Sequence, residues 1–246
     1  MTIVEQLDFA VIVPMANEAN EFTEFTTCLR EVLLGFPKGR VYFIVDNASK
    51  DNTLELCRQF SLQNKQFLTI CAPENRNVVD AYLRGYRAAF EQKHAYIIEM
   101  DAGLSHDPRS LPSFLKAFTE GYECVFGSRF MAGGQMTDAP WQRVFLSKGG
   151  TFLTNMLLGT HFKDMTSGFQ GFSRSVVEAF LKKPLLSKAH FYQTELRYLL
   201  RKRHWTELPI HYKAPSPSVS RKAIVNSFAV LNHYFFNRLK GQTENR

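Results

Sequence analysis

Short apolar runs alternate with segments of helical periodicity along the first half of the chain. The apolar runs are rich in β-branched and aromatic side chains, which favours buried strands. Between them, apolar residues recur every three or four positions, which favours helices packed on a sheet. Because strands that alternate with helices form a parallel sheet covered on both faces, the pattern predicts an α/β fold with a mostly parallel sheet. The predicted strands are residues 9–13, 41–45, 67–71, 95–100 and 124–126.

The second half of the chain has longer helical segments and fewer apolar runs. Helices are predicted at about residues 141–158 and 191–203, and a strand at 205–212. Residues 221–240 carry apolar side chains at spacings of three and four between basic ends, which predicts a basic amphipathic helix. Such a helix either lies in a membrane interface or packs its apolar stripe on the domain, and the spacing leaves both alternatives open.

Acidic side chains follow three of the predicted strands. Glu18, Asp46 and Asp101 each lie at or shortly after the carboxyl end of an apolar run. Parallel strands place these ends on one edge of the sheet, which is where open α/β sheets bind ligands. Clustered carboxylates repel one another unless a ligand or cation offsets them, and they accept hydrogen bonds from ribose hydroxyls and base N–H groups. The three acids therefore predict a shared ligand site, with unrelated turn residues as the alternative.

Charge is distributed unevenly along the chain. The formal net charge is +7, yet residues 165–246 contain 14 Lys and Arg against 4 Asp and Glu, so the first 164 residues are net acidic. A positive field of this kind indicates an anionic partner such as phosphate or a membrane surface, and a solvated basic face is the alternative. No nucleic-acid-binding module is recognisable, so nucleic acid is not expected as a partner.

Cysteine spacing and hydropathy indicate where the protein is expected to work. The four cysteines are scattered, without C-x-x-C or metal-ligand spacing, which is typical of reduced thiols in a cytosolic protein. The first residues lack the basic end and apolar run of a signal peptide. No apolar run approaches the roughly 20 residues of a membrane span. We therefore expect a cytoplasmic protein.

Five short motifs occur in order along the chain. They are Val13-Pro14 with Asn17-Glu18, VDNASKD at 45–51, MDAGLSHDP at 100–108, GSRFMAGG at 127–134 and TSGF at 166–169. With these motifs the chain resembles the GT-A-fold glycosyltransferases of family 2, most closely the polyprenyl-phosphate (dolichyl-phosphate) mannose synthase branch, over about residues 9–213. The resemblance implies a GT-A (Rossmann-like) domain at 1–215, with a nucleotide-sugar half at 1–126 and an acceptor half at 127–215. A basic amphipathic helix and tail would follow at 216–246.

The resemblance implies roles for residues on the sugar-donor side. Pro14, Asn17 and Glu18 would line the nucleotide pocket, with Glu18 near the ribose. Asp46 would face the base. Asp101, the first acid of the family's D-x-D motif, would lie beside the diphosphate and a divalent metal ion.

The resemblance also implies a binding site for an acceptor phosphate. Arg129 corresponds to the family arginine that meets this phosphate, with Arg143 and Ser147 beside it. Catalysis would then depend on Asp101, Arg129 and Arg143. Because a guanidinium can bind two phosphate oxygens at once, these roles agree with the net positive charge of the last third of the chain.

The most important departure from the family pattern lies in the D-x-D motif. The second acid of the D-x-D motif is replaced by Gly103. Asp101 and Ser105 remain as candidate oxygen ligands for Mg²⁺ or Mn²⁺, with Glu99 two residues back on the same strand. With one acid missing, the cation would bind more weakly, would take most of its ligands from the diphosphate, or would be replaced by a basic side chain.

The implied activity is the transfer of a hexose, mannose from GDP-mannose, to a polyprenyl or dolichyl phosphate with inversion at the anomeric carbon. The protein would be peripheral at the cytoplasmic face of a membrane, with residues 221–240 against the bilayer or a membrane-protein partner. One alternative is transfer to a soluble sugar or protein hydroxyl, which needs a base such as Asp164 or Glu195. Another is a catalytically silent nucleotide-sugar-binding protein, which Gly103 favours.

Overall fold

Strands and helices alternate through the first half of the chain in the order that the hydrophobic pattern predicts. The structure, a computed structural model, describes residues 2–213 and 221–242. The strands of this part of the chain are β1 (Phe9–Met15), β2 (Gly39–Val45), β3 (Phe67–Cys71), β4 (Tyr96–Glu99), β5 (Cys124–Ser128), β6 (Gln135–Thr137), β7 (Gln170–Ser173), β8 (Trp205–Pro209) and β9 (His211–Lys213). Its α-helices are α1 (Phe22–Leu33), α2 (Thr53–Gln63), α3 (Val78–Glu91), α4 (Leu111–Thr119), α5 (Trp141–Leu158), α6 (Arg174–Leu181), α7 (Tyr192–Leu200) and α8 (Arg221–Leu239).

Seven of these strands form one sheet, in the order β3-β2-β1-β4-β7-β5-β8. Pairing is parallel between β1 and β2, β1 and β4, β2 and β3, and β5 and β8. In contrast, β7 runs antiparallel to both of its neighbours, β4 and β5. The sheet is therefore mostly parallel, which confirms the predicted α/β class.

Helices cover both faces of the sheet because its strands are apolar on both sides. Successive residues of β1 point to opposite faces. Val11 and Val13 belong to a core that includes side chains of α1 and α4, whereas Ala10 and Ile12 belong to a second core with α3. Gly85 lets α3 approach β1 closely, since a Cβ at this position would lie 2.2 Å from Ile12 Cγ2. The carboxyl ends of β1, β2 and β4 remain uncovered on one edge, between these helical layers.

Two features of the second half differ from the sequence expectation. The predicted strand at 205–212 is divided, because β8 ends at Pro209 and β9 pairs with β6 in a separate two-stranded sheet. Pro209 has no N–H with which to continue a ladder of hydrogen bonds. The hydrophobic pattern also does not predict β7, in which Phe172 is the one large apolar side chain.

The helix predicted at residues 221–240 is present as α8 and packs on the domain. Its buried side chains, Val230, Leu231 and Tyr234, belong to a cluster with residues of α5 and α7. Other apolar side chains of α8 are more than half exposed, so buried and exposed apolar groups both occur along the helix. These exposed side chains are Val225, Phe228, Phe236 and Leu239. The alternative in which this helix packs on the domain is confirmed for its buried side chains. The division of the helix into one apolar and one polar face stays a prediction.

The predicted domain boundaries stay predictions. The two proposed halves share the central sheet, since β7 and β8 come from residues 127–215 and the other five strands from residues 1–126, apart from the last two residues of β5. The boundary at 215 lies outside the described residues, as do residues 216–220 and 243–246 of the predicted helix and tail. Along the described chain, no helix combines the length and apolar character needed to cross a bilayer.

Candidate active site

A cavity of about 550 Å³ opens at the carboxyl ends of β1, β2 and β4. Glu18, Asp46 and Asp101 all line it, and we name it the acidic cavity after them. The predicted convergence of the three strand-end acids is therefore confirmed. Pro14 and Ser105 line the same cavity, as the assignments to a nucleotide and a metal ion require.

Asn17 braces the loops of the acidic cavity and does not line it. Its φ of 61° lies in the left-handed region, which asparagine tolerates better than most residues. Its side-chain amide donates to Ala48 O at 3.2 Å and accepts from the Lys50 N–H at 2.8 Å, while its backbone N–H donates to Ser49 Oγ at 3.1 Å. Because both amide groups are engaged by the neighbouring loop, the predicted contact of Asn17 with a nucleotide has no support in this geometry.

Glu18 turns its carboxylate towards the acidic cavity with little support from the protein. Its backbone N–H donates to Thr53 Oγ1 at 2.9 Å, which fixes the main chain. Within the described residues, the carboxylate accepts no hydrogen bond and forms no ion pair. Burial, and then the nearby acids Glu21 and Asp101, raise the pKa of Glu18 from 4.5 to about 7. The cavity therefore disfavours the charged form of this carboxylate as long as no cation or hydrogen-bond donor compensates it.

Asp101 is fixed by hydrogen bonds on two sides. Its Oδ1 accepts from the Tyr82 hydroxyl at 2.7 Å, and its backbone N–H donates to His106 Nδ1 at 2.9 Å. His106 Nδ1 is therefore an unprotonated acceptor, and burial lowers the pKa of His106 to about 4, so the ring is neutral. Burial acts to raise the pKa of Asp101, but the hydrogen bond from the Tyr82 hydroxyl and the nearby Arg143 guanidinium act in the opposite direction, and the pKa is lowered overall. The carboxylate of Asp101 is consequently ionised at neutral pH.

Glu99 is fully buried and does not line the acidic cavity. Its Oε1 accepts from the Tyr192 hydroxyl at 2.7 Å and Gln170 Nε2 at 2.8 Å, and its Oε2 accepts from the Tyr86 hydroxyl at 2.8 Å. Burial raises the pKa of Glu99 to about 8. Glu99 therefore links α3, α7 and β7 from inside the protein and is not available as a metal ligand.

A second cavity, of about 280 Å³, lies against Asp101 on the side of α5 and α8. Arg129, Arg143 and Ser147 all line it, and we name it the arginine cavity. The grouping of these three residues agrees with the sequence prediction. Asp101 lines the arginine cavity as well as the acidic cavity, so one carboxylate separates the two spaces.

Arg129 is held in place by a buried ion pair. Its Nε and Nη2 donate to the two oxygens of Asp164 at 2.7 and 2.8 Å, and Nη2 also donates to Thr166 Oγ1 at 2.6 Å. Within the described residues, Nη1 is the one guanidinium nitrogen of Arg129 without a hydrogen-bond partner. Burial acts to lower the pKa of Arg129, but Asp164 raises it by more. The guanidinium is therefore charged, and its Nε and Nη2 atoms are held in place.

Arg143 and Ser147 reach the arginine cavity from α5. They are four residues apart, which places their side chains on one face of the helix. Arg143 Nη2 donates to the Tyr212 hydroxyl at 3.2 Å. The Tyr212 ring also lies 5.5 Å from the Arg129 guanidinium and 4.9 Å from the His106 ring. Tyr212 therefore packs between the two arginines and the histidine that supports Asp101.

The two acids considered as general bases are both engaged in structural contacts. Asp164 is fully buried, and Arg129 occupies both of its oxygens. Glu195 is buried as well, and it accepts from the backbone N–H groups of Leu186 and Ser187 at 2.8 Å and from the Tyr234 hydroxyl at 2.7 Å. Neither carboxylate is therefore placed to take a proton from a soluble acceptor.

Sequence reasoning missed three residues that shape the site, namely Tyr82, His190 and Tyr212. Tyr82 precedes Tyr86 by one helical turn in α3, and this spacing could have identified it as a side chain facing the sheet. His190 lines the arginine cavity from a loop, where no periodic signal exists. Among the described residues, no three His, Cys, Asp or Glu side chains are grouped as a metal site.

The fold has counterparts among solved glycosyltransferases. The chain shares its GT-A fold with a mannosyltransferase from Pyrobaculum calidifontis in complex with GDP-Man and Mn²⁺. The TM-score is 0.62 at 15% sequence identity, over 98% of this chain and 66% of that chain. The comparison of structures therefore defines the fold of this chain as GT-A.

Sequence comparison identifies the family. Residues 10–181 match the family model described as Glycosyl transferase family 2, and this chain belongs to that family. The polyprenol monophosphomannose synthase of Mycolicibacterium smegmatis is 30% identical over 156 residues, which are 63% of this chain and 59% of that protein. The undecaprenyl-phosphate mannosyltransferase of Micrococcus luteus is 27% identical over 187 residues, 76% of this chain and 75% of that protein. The first match therefore spans less than two thirds of that relative's length.

Proposed function

We propose that this protein transfers mannose from GDP-mannose to the phosphate of a polyprenyl or dolichyl phosphate, with inversion at the anomeric carbon. The observation that carries the proposal is the position of Asp101, which lines both cavities. A sugar nucleotide in the acidic cavity and a phosphate in the arginine cavity would meet at this carboxylate. The names of the two relatives support the sugar and the class of acceptor.

The acidic cavity suits a sugar nucleotide in size and in chemistry. Its volume of about 550 Å³ lies within the range of about 300–1,000 Å³ that is usual for small-molecule sites. Pro14 and Asp46 would contact the nucleoside, with Asp46 accepting hydrogen bonds from base N–H groups. Asp101 would lie beside the diphosphate.

A divalent cation fits the donor set of this cavity. Mg²⁺ and Mn²⁺ prefer oxygen ligands and are commonly held by one or two carboxylates together with substrate phosphates. Asp101 and Ser105 supply such oxygens, and the mannosyltransferase with the same fold was solved with Mn²⁺. When bound, the cation would supply positive charge to offset the charge of the departing diphosphate.

The arginine cavity suits a phosphate attached to an apolar chain. Arg129 through Nη1, together with Arg143 and Ser147, would bind the phosphate oxygens. The remaining walls are largely apolar and would contact the first part of the polyprenyl chain. They include Leu146, Leu153, Ile224, Phe228 and Leu231.

A phosphate acceptor also agrees with the buried contacts of Asp164 and Glu195, the two acids considered as general bases. A phosphate oxygen is anionic near neutral pH and needs no proton removed before it attacks. The protein then has to hold the two substrates in line and stabilise the charge that develops on the diphosphate. A hydroxyl acceptor would need a base, and the buried contacts of Asp164 and Glu195 oppose that alternative.

The proposed location is peripheral, at the cytoplasmic face of a membrane. Exposed apolar side chains on α5 and α8 support the binding to a lipid surface. Such side chains insert at the acyl boundary, while basic residues contact anionic headgroups. Both helices line the arginine cavity, so a lipid acceptor would reach it from this side. The exposed apolar residues of α5 are Trp141, Phe145, Leu146, Phe152 and Met156, and Lys148 lies among them. A membrane-protein partner has no support from the comparisons.

The proposal is tested by incubating the purified protein with radiolabelled GDP-mannose and a polyprenyl phosphate in detergent. We expect label in the lipid phase when the polyprenyl phosphate is present. Parallel reactions contain a polyprenol without phosphate, or soluble mannosides, as controls. Transfer to the soluble mannosides alone would establish the hydroxyl-acceptor alternative, and binding of GDP-mannose without transfer to any acceptor would favour a catalytically silent protein.

A further inference from the structure

A carboxylate from another loop occupies the space where the second acid of the D-x-D motif would begin. Gly103 has a φ of +63°, in the left-handed region that favours glycine. A Cβ at this position would lie 2.7 Å from Glu18 Oε2, closer than real Cβ contacts allow. Residue 103 therefore has no room for a side chain while Glu18 keeps its conformation.

The Glu18 carboxylate is placed to bind a ligand. Its main chain is fixed by Thr53, but within the described residues no donor or cation contacts its two oxygens. Asp101 lines the same cavity, and its Oδ2 is the oxygen that the Tyr82 hydroxyl leaves open. Two carboxylates on one wall repel each other, and a cation between them removes that repulsion.

We propose that Glu18 replaces the missing second acid of the D-x-D motif and binds the divalent cation together with Asp101. This inference rests on the proposed function, because it takes the acidic cavity as the site of the sugar nucleotide. Two carboxylates and the phosphates of the nucleotide are a usual ligand set for Mg²⁺ or Mn²⁺. The Ser105 hydroxyl lies on the same cavity wall as a further oxygen.

The other acids near Glu18 do not compete for this role. Asp51 accepts hydrogen bonds from Thr53, Ser49 and Ala19, so its oxygens are occupied. Glu21 is exposed at the start of α1 and does not line the acidic cavity. The cation would thus be held between two loops, one after β1 and one after β4.

The test measures Mn²⁺ binding directly, in the full-length protein saturated with GDP. Free Mn²⁺ is followed by electron paramagnetic resonance during a titration. Glu18→Gln keeps the size of the side chain and removes its charge, and we expect the Kd for Mn²⁺ to rise at least about tenfold, since even residues that only orient metal ligands contribute about 10- to 100-fold. Glu24→Gln is the matched control, because Glu24 is exposed on α1 and does not line the acidic cavity. A screened charge of this kind should change the Kd by less than about twofold.

A second pair of variants removes the carboxylate at position 18 and places one at position 103, the position of the second acid in the D-x-D motif. Glu18→Ala alone should lose Mn²⁺ affinity as Glu18→Gln does. Adding Gly103→Asp to Glu18→Ala supplies an acid where the space has been cleared, at a φ that aspartate tolerates better than most residues. We expect the double variant to recover most of the lost affinity, with thermal melting curves to verify that each variant is folded.

The outcomes separate this inference from the proposed function. If Glu18→Gln binds Mn²⁺ as tightly as the wild type, the inference is wrong. This result would not argue against the proposed transfer of mannose to polyprenyl phosphate. If the wild type binds GDP with no added affinity for Mn²⁺, the inference is wrong as well. If Mn²⁺ binding depends on Glu18 but no sugar reaches polyprenyl phosphate, the inference stands and the proposed function fails.

Discussion

The acidic cavity and the arginine cavity meet at Asp101, but their charges are compensated in opposite ways. In the acidic cavity, the Glu18 carboxylate has no partner within the described residues, so a bound ligand must supply one. In the arginine cavity, Asp164 compensates the Arg129 guanidinium at 2.7 Å before any ligand binds. The first cavity is thus built to change its charge state on binding, whereas the second is preorganised.

Removing Arg129 should have the largest effect, because its loss damages the preorganised cavity and the fold together. Arg129→Ala leaves Asp164 buried and unpaired, which costs about 3–5 kcal/mol in the free energy of unfolding. Urea denaturation measures this cost. Arg129→Lys, which keeps the charge but not the paired geometry, should lie between the alanine variant and the wild type. A loss below about 1 kcal/mol in Arg129→Ala would contradict the structural importance of the buried pair.

Changing Asp101 should reduce turnover strongly with little effect on the fold. Asp101→Asn keeps an oxygen that can accept from Tyr82 but removes the charge shared by both cavities. We expect turnover to fall by about 10²- to 10³-fold, as is usual when one electrostatic group at a reacting centre is lost. The lipid-transfer assay measures the rate, and thermal melting verifies the fold. A loss smaller than tenfold would mean that the two cavities do not act through this residue.

Arg143 offers a direct contrast with Arg129. Arg143 is half-buried on α5 and donates to the Tyr212 hydroxyl, whereas Arg129 is buried and paired with the buried Asp164. Arg143→Ala should raise the KM for polyprenyl phosphate at least about tenfold, with a loss of less than about 1.5 kcal/mol in stability. Steady-state kinetics at saturating GDP-mannose separates KM from turnover. Equal losses of stability in Arg129→Ala and Arg143→Ala would remove the contrast between the two arginines.

The smallest effect concerns the pH dependence of stability. The folded-state pKa of Glu18 is about 7 against an ordinary value of 4.5, so the folded protein binds more protons than the unfolded chain between these values. The stability that this group contributes is fully present below about pH 4.5 and is lost as the pH rises through about 7. The melting temperature of the wild type should therefore fall relative to Glu18→Gln between about pH 5 and about pH 8. Glu21→Gln removes one of the charges that raise the pKa of Glu18, so its curve should lie between those of the wild type and Glu18→Gln. Parallel curves for the wild type and Glu18→Gln would refute the shifted pKa.

The parts of the molecule that the sequence predicts are those with local signals. The strands β1 to β5 are apolar runs with an acid or a turn at their ends, and the convergence of Glu18, Asp46 and Asp101 follows from parallel pairing. The start of the segment after β4 is equally local, since Asp107 accepts from the Arg109 N–H at 2.9 Å directly before Pro108. The family motifs then add the grouping of Arg129, Arg143 and Ser147.

The parts that could not be predicted depend on contacts between distant residues. Asp164 lies 35 residues from Arg129, so its pairing with that arginine has no local signal. The same is true of the close approach of the Glu18 carboxylate to Gly103, because these two residues follow the neighbouring strands β1 and β4. The division of the strand at 205–212 did have a signal, because a proline inside an apolar run favours the end of a strand. The contacts of Asn17 with Ala48 and Lys50 cannot be read from the motif, and its contact with a nucleotide stays a prediction.

The position of β7 also has a consequence for how the chain folds while it is being synthesised. As the chain leaves the ribosome, β4 and β5 emerge well before β7, yet β5 pairs with β7 and β8 and with no earlier strand of the described sheet. Until residue 173 has emerged, β5 is an unpaired apolar strand, and such edges promote aggregation. The nascent chain therefore depends on its second half for solubility as well as for the arginine cavity, and truncation before β7 should give insoluble protein.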